Sequence, residues 1–268
     1  MSADASPSLP PLSRRKVTLA SVALDVLEGG AGRTLLFVHD ANGIEPSMPF
    51  LAALAARFHV IAALNPGFGG SALPAWMNSV DDFAHAQLEL AHRLGLERVV
   101  LIGASLGGWV AAEMATKALG LVDRLVLIGP VGIKVGAVDR LDVPDIFAMT
   151  QHDVDRLFYA RPDAWRLDPT TKSDEELAVI AQNRETLALV TWEPYMHNPK
   201  LKHRLPAIDR RTLIVRGAED GFVSQDYAQS FTRLIPGARL AVIADAGHFP
   251  HVEQPKALVE SIARFTEE

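Results

Sequence analysis

The stretch from Arg98 to Lys117 constrains this chain more than any other. An apolar run from Arg98 to Ile102 passes without a break into Gly103-Ala104-Ser105-Leu106-Gly107-Gly108, and an Ala-rich helical pattern follows through Lys117. A buried strand that turns straight into a helix leaves little room for side chains at the turn, and the glycines supply that room. The spacing Gly103-x-Ser105-x-Gly107 matches the G-x-S-x-G turn, which holds its serine in a strained backbone conformation. The start of the helix would aim free N–H groups and the positive end of its dipole at whatever reacts there. The bland alternative for the same string is a Gly-rich turn carrying an inert serine.

Short apolar runs alternate with helical patterns on both sides of this turn, which points to a mostly parallel sheet covered by helices. Lys16 to Ala20 and Val22 to Leu27 read as two early strands, antiparallel because the link between them is short. Thr34 to Val38, His59 to Leu64, Asp123 to Ile128, Thr212 to Val215 and Leu240 to Ile243 complete the strand set with Arg98 to Ile102. Helices are expected over Phe50 to Phe58, Val80 to Leu94 and Lys256 to Phe265, the second with Ser79 and Asp82 at its start. From Val131 to about Leu205 strand-like runs stop, while helix-compatible stretches such as Ser173 to Val190 continue. A segment that long needs packed helices of its own. The organisation read here is a disordered lead over 1–12, a core formed by 13–130 and 206–268, and a helical cap over 131–205.

The charge balance excludes some functions. Twenty-six Lys and Arg against 32 Asp and Glu give a net charge of −6, with no basic stripe of the kind nucleic-acid binding requires. With no Cys in the chain, a disulfide, a thiolate metal site and a cysteine nucleophile are all excluded. The apolar run Val99 to Ala112 is too short to span a membrane and is interrupted by Gly103, Ser105, Gly107 and Gly108. The N-terminus lacks the apolar core of a secretory signal. A soluble cytoplasmic protein acting on a small molecule is the expectation, with no membrane or nucleic-acid partner and the oligomeric state left open. Gly67-x-Gly69-Gly70 lacks the Lys-Ser/Thr of a phosphate loop, and no His-x-x-x-His pair supports a metal.

A serine hydroxyl needs a base, and that base needs an orienting carboxylate. Of nine His, His248 follows the last strand in Asp245-Ala246-Gly247-His248-Phe249-Pro250, at a carboxyl end where α/β ligand sites form. His251, three residues on, reads as a surface histidine. Asp220, just past the strand Thr212 to Val215, is the candidate acid on the same rim; Glu219 and Asp245 stay open as alternatives.

Four stretches together resemble the α/β-hydrolase family with a helical cap. They are Val38-His39-Asp40-Ala41-Asn42-Gly43, Asn65-Pro66-Gly67-Phe68-Gly69-Gly70-Ser71, the turn at Ser105, and the Asp220 and His248 loops in that order. The resemblance covers nearly the whole chain. It implies an eight-stranded, mostly parallel sheet flanked by helices, with the cap inserted after the sixth strand. It further implies a cofactor-free Ser105-His248-Asp220 hydrolase whose pocket lies between sheet and cap, with the backbone N–H groups of Ala41 and Leu106 as oxyanion hole. The family usually shows His-Gly where this chain has His39-Asp40. A carboxylate there opposes a developing oxyanion unless it faces away or is paired, so Asp40 is a candidate pocket residue. Phe147, Phe158, Trp165, Trp192, Tyr195, Phe222, Val223 and Phe249 are the others, and Trp109 reads as core.

Hydrolysis of a small or medium carboxylic ester is the leading function implied. Cleavage of a C–C bond in a diketone, or of a lactone, uses the same groups, although members of the C–C branch commonly carry Asn where this chain has Ala104. A ligand-binding protein on a hydrolase scaffold is the non-enzymatic alternative.

Overall fold

In the computed structural model, which describes residues 12–268, the apolar runs lie side by side as one eight-stranded sheet in the order β1-β2-β4-β3-β5-β6-β7-β8. In chain order the elements are β1 (Ser13–Thr18), β2 (Ala23–Gly29), β3 (Thr34–Val38), α1 (Met48–Ala55), β4 (His59–Ala63), α2 (Val80–Arg93), β5 (Val99–Ala104), α3 (Leu106–Lys117) and β6 (Val122–Ile128). Then come α4 (Gln151–Phe158), α5 (Pro162–Trp165), α6 (Asp174–Thr191), α7 (Leu201–Arg204), β7 (Arg211–Gly217), α8 (Gln225–Leu234), β8 (Arg239–Ile243), α9 (Pro250–Glu253) and α10 (Pro255–Glu267). The lead expected over 1–12 lies outside the described residues except for Leu12, which is partly buried against the core.

β2 pairs antiparallel with β1 and β4, and every other pairing is parallel. Helices cover both faces of the parallel strands, so β5 is buried at all six positions. β1 starts earlier than the apolar pattern suggests, because Ser13, Arg14, Arg15 and Lys16 of this edge strand are exposed and give no period-two signal. The expected start of α2 forms, and α6 has a start of the same kind. Ser79 and Asp82 close a reciprocal box on α2, and Ser173 and Glu176 do the same on α6. Helix α8, not expected from the sequence pattern, buries Tyr227, Ala228 and Phe231 behind an N-cap at Ser224.

Chain order changes direction at β3. The chain leaves β3 for β4 on one side, then crosses back to β5 on the other, so the carboxyl ends of β3 and β5 open next to each other. That is where a ligand site forms in an open α/β sheet. From 129 to 210, between β6 and β7, the chain makes helices and one isolated bridge, Gly132 to His197, with no strand among the described residues. These helices lie over the same carboxyl ends. Asn183 of α6 accepts from the Gly69 N–H at 2.9 Å, and Thr186 donates to the Gly67 carbonyl at 2.9 Å. No helix among the described residues is long and apolar enough to cross a membrane.

Candidate active site

Ser105 sits between β5 and α3 with φ 51° and ψ −113°, a left-handed conformation that a non-glycine residue holds only under strain. Its glycine neighbours permit it. A Cβ on Gly103 would lie 2.1 Å from the Gly107 carbonyl oxygen, and one on Gly107 would lie 2.1 Å from that of Val38. Helix α3 therefore starts against the end of β3, bringing the Ser105 turn beside the loop that leaves β3.

Three loops bring the expected groups together. Ser105 Oγ lies 2.8 Å from His248 Nε2, and His248 Nδ1 lies 3.0 Å from Asp220 Oδ2. The other Asp220 oxygen accepts from the N–H groups of Phe222 and Val223 at 2.9 and 2.8 Å, so the carboxylate is fixed before it meets the ring. An acceptor carboxylate on Nδ1 places the proton there and leaves Nε2 free to accept from the serine. His248 is fully buried between Phe158, stacked at 5.4 Å, and the edge-on rings of Phe222 and Phe249 at 5.0 and 4.8 Å. The alternative acids are placed elsewhere. Glu219 accepts from the Ala246 N–H at 3.0 Å, tying the two loops together, and Asp245 is exposed.

Arg216 was not singled out from the sequence. Its guanidinium, nearly buried, donates to the carbonyls of Gly217, Ala218, Asp220 and Val223 and so frames the whole Asp220 loop. An Arg directly after the apolar run Leu213 to Val215 was the available signal.

Ala41 and Leu106 line the same cavity as Ser105. Leu106 is the first residue of α3 and has no intrahelical acceptor, and the Ala41 N–H makes no hydrogen bond among the described residues. Asp40 corrects one expectation. It does not face the cavity but is fully buried, with Oδ2 2.9 Å from His251 Nε2 and Oδ1 accepting from the Asn42 N–H at 2.6 Å. His251 is accordingly no surface residue; it is fully buried among Phe37, Phe50 and Phe249. The Asp40 backbone stays outside the left-handed region, so the loop needs no glycine at this position. His39 completes the loop. Its Nε2 accepts from the Asn65 N–H at 2.8 Å while Nδ1 donates to the Asp40 carbonyl, and burial pushes its pKa below the ordinary value.

A cavity of about 580 Å³ opens on Ser105 beneath the inserted helices. Phe147, Phe158, Trp165, Phe222 and Phe249 line it as expected. Trp192, Tyr195 and Val223 do not. Trp192 is 57% exposed, the Tyr195 hydroxyl is engaged by Ile146 N–H and the Pro144 carbonyl, and Val223 serves through its backbone at Asp220. A helical pattern without known phase leaves the facing side undetermined, which is why aromatic content alone misassigned Trp192 and Tyr195. Trp109 is core, as read.

A strained serine at the switch point of this sheet, an imidazole at its hydroxyl and a largely apolar cavity open to solvent define the class of the protein: it is an enzyme of the α/β-fold hydrolases. The family model described as the alpha/beta hydrolase family matches residues 35–261, and the chain belongs to that family. A Mycobacterium tuberculosis protein of uncharacterised activity, Rv2715, is 27% identical over 88% of this chain and 76% of its own. The 2-hydroxymuconate semialdehyde hydrolase of Pseudomonas putida is 25% identical over 98% of this chain and 97% of its own. Among solved structures, a serine hydrolase from Cycloclasticus zankles superposes with a TM-score of 0.77 at 20% identity, covering 96% of this chain and 98% of that one.

Proposed function

We propose that the protein hydrolyses a carboxylic ester of small or medium size through an acyl-enzyme on Ser105. The carrying observation is the continuous contact Ser105 Oγ–His248 Nε2–Nδ1–Asp220 Oδ2, at 2.8 and 3.0 Å, at the floor of the cavity. In the first half-reaction Ser105 Oγ bonds to the ester carbonyl carbon as His248 Nε2 takes the hydroxyl proton. The carbonyl oxygen, now an oxyanion, accepts from the Ala41 and Leu106 N–H groups. Collapse breaks the C–O bond, and the imidazolium returns its proton to the departing alcohol. Water, deprotonated by the same imidazole, then releases the acid and restores Ser105. Asp220 holds the Nδ1 tautomer and offsets the positive charge on the ring.

The near full-length match to the Pseudomonas putida protein favours a second reading, cleavage of a C–C bond next to a carbonyl. Ala104 stands where that branch commonly carries Asn, which speaks for the ester; a lactone would follow the ester path with its two products left joined. A fluorophosphonate probe tests for an activated serine. Adduct formation on Ser105, together with a fall of about 10⁶ in kcat for Ser105→Ala, is expected if the three residues act as a unit. Turnover above a tenth of wild type in Ser105→Ala refutes the mechanism, and a folded protein that takes no probe points to a binding function. A panel of p-nitrophenyl esters run beside diketones separates the two bond types.

A further inference from the structure

Helix α4 presents one face to the cavity. Gln151, Val154, Asp155 and Phe158 stand at i, i+3, i+4 and i+7, and all four line it. Phe158 ends that face on the base, with its ring on His248 and its carbonyl accepting the His248 N–H at 2.7 Å. One turn earlier, about 5 Å along the helix, stands Asp155, a carboxylate only 5% exposed. Oδ1 accepts from Gln151 Nε2 at 2.8 Å, whereas Oδ2 makes no hydrogen bond to the protein and the carboxylate forms no ion pair among the described residues.

Burying a carboxylate costs folding free energy that one neutral amide donor does not return. Asp155 caps nothing either, since the start of α4 is closed by Thr150 accepting from the Asp153 N–H. The supporting contacts fix its direction. Arg184 Nη1 donates to Gln151 Oε1 at 2.9 Å, which sets the amide so that its nitrogen faces Asp155. Tyr159, the next residue after α4, lines the same cavity, and its hydroxyl makes no hydrogen bond to the protein among the described residues. Burial, reinforced by the carboxylates of Asp40, Asp155 and Glu253, raises its pKa and keeps that hydroxyl a donor.

We infer that Asp155 and Tyr159 form a subsite selecting substrates that carry a hydroxyl on the arm lying along α4. The substrate hydroxyl donates to Asp155 Oδ2 and accepts from the Tyr159 hydroxyl, filling both vacant positions at once. A methyl group of equal size would leave the carboxylate desolvated and unpaired, and buried polar groups left without partners discriminate more strongly than missing apolar contact. The effect on turnover rests on the ester-hydrolase reading above; the binding preference does not.

The test compares hydroxyl with methyl at equal size. Substrate pairs are the p-nitrophenyl esters of 3-hydroxybutyrate and 3-methylbutyrate, and of 6-hydroxyhexanoate and heptanoate, which sample two reaches. Wild type is expected to favour the hydroxylated member of at least one pair by about tenfold or more in kcat/KM, the discrimination given by a hydrogen bond to a charged group. In Asp155→Asn and, independently, in Tyr159→Phe that ratio is expected to fall to about threefold or below; each variant serves as its own reference. A wild-type ratio near one for both pairs, or a ratio unchanged in both variants, overturns the subsite. The corresponding N-phenyl amides, titrated by calorimetry, give the same ratio without turnover. If Ser105 takes no fluorophosphonate and no ester is cleaved, the reaction falls, while the amide ratio still decides the subsite.

Discussion

Breaking the Asp40–His251 pair from one side should damage the loop proposed to hold the oxyanion. Both side chains are fully buried and meet at 2.9 Å, and Asp40 also folds its own loop by accepting from the Asn42 N–H. Replacing His251 with Phe, which suits the surrounding rings of Phe37, Phe50 and Phe249, leaves Asp40 as a buried charge without its partner. Breaking a buried pair from one side costs about 3–5 kcal/mol, a third or more of the ~5–15 kcal/mol that holds a typical domain together. Asp40→Gly restores the residue usual in the family and removes that charge. Combined with His251→Phe it should recover most of the loss, because no buried charge is then left without its partner and only the Asn42 N–H loses its acceptor. Urea unfolding of wild type, both single variants and the double variant closes the cycle. The loop's chemical role gives a second readout. Displacing the Ala41 N–H costs transition-state stabilisation, so kcat on a p-nitrophenyl ester should fall about 10²–10³-fold in His251→Phe with KM little changed. Additive stability losses in the double variant, or a kcat within twofold of wild type for His251→Phe, would show that the pair does not register the oxyanion loop against the His248 loop.

Two further outcomes follow from the same region. In Gly107→Ala the new methyl meets the Val38 carbonyl at 2.1 Å, a backbone atom that cannot swing aside; a loss at or above the upper end of about 1–3 kcal/mol is expected by thermal or chemical unfolding. Burial depresses the pKa of His39 below its ordinary 6.5. As pH falls through 6.5 the unfolded chain therefore takes up a proton before the folded one does, and stability present above that value declines toward the depressed one. Wild type should lose more unfolding free energy than His39→Gln between pH 7 and 5, and parallel pH profiles would contradict this.

Much of the site was legible because it rests on local rules. A continuous apolar strand running into Gly103-x-Ser105-x-Gly107 already dictates a turn too tight for other residues, and the strand ends before Asp220 and His248 place them on one rim. Asp40 was legible as an anomaly but not as a solution. Its partner lies 211 residues further on, and no periodicity marks His251 as buried, since a short helix after the base loop carries too few positions to define a face.

The sequence by itself determined the sheet, the order of its strands' carboxyl-end groups and the chemistry available to them, because hydrophobic period and turn composition act between neighbours in the chain. Tertiary structure alone decided the rest: that His248 Nδ1 meets Asp220 rather than Glu219, that Asp40 is turned inward, and that α4 gives the cavity Asp155 and Phe158 while Trp192 goes to solvent. Those choices depend on helix phase and on distances between loops, which contacts remote in the chain set and local patterns do not.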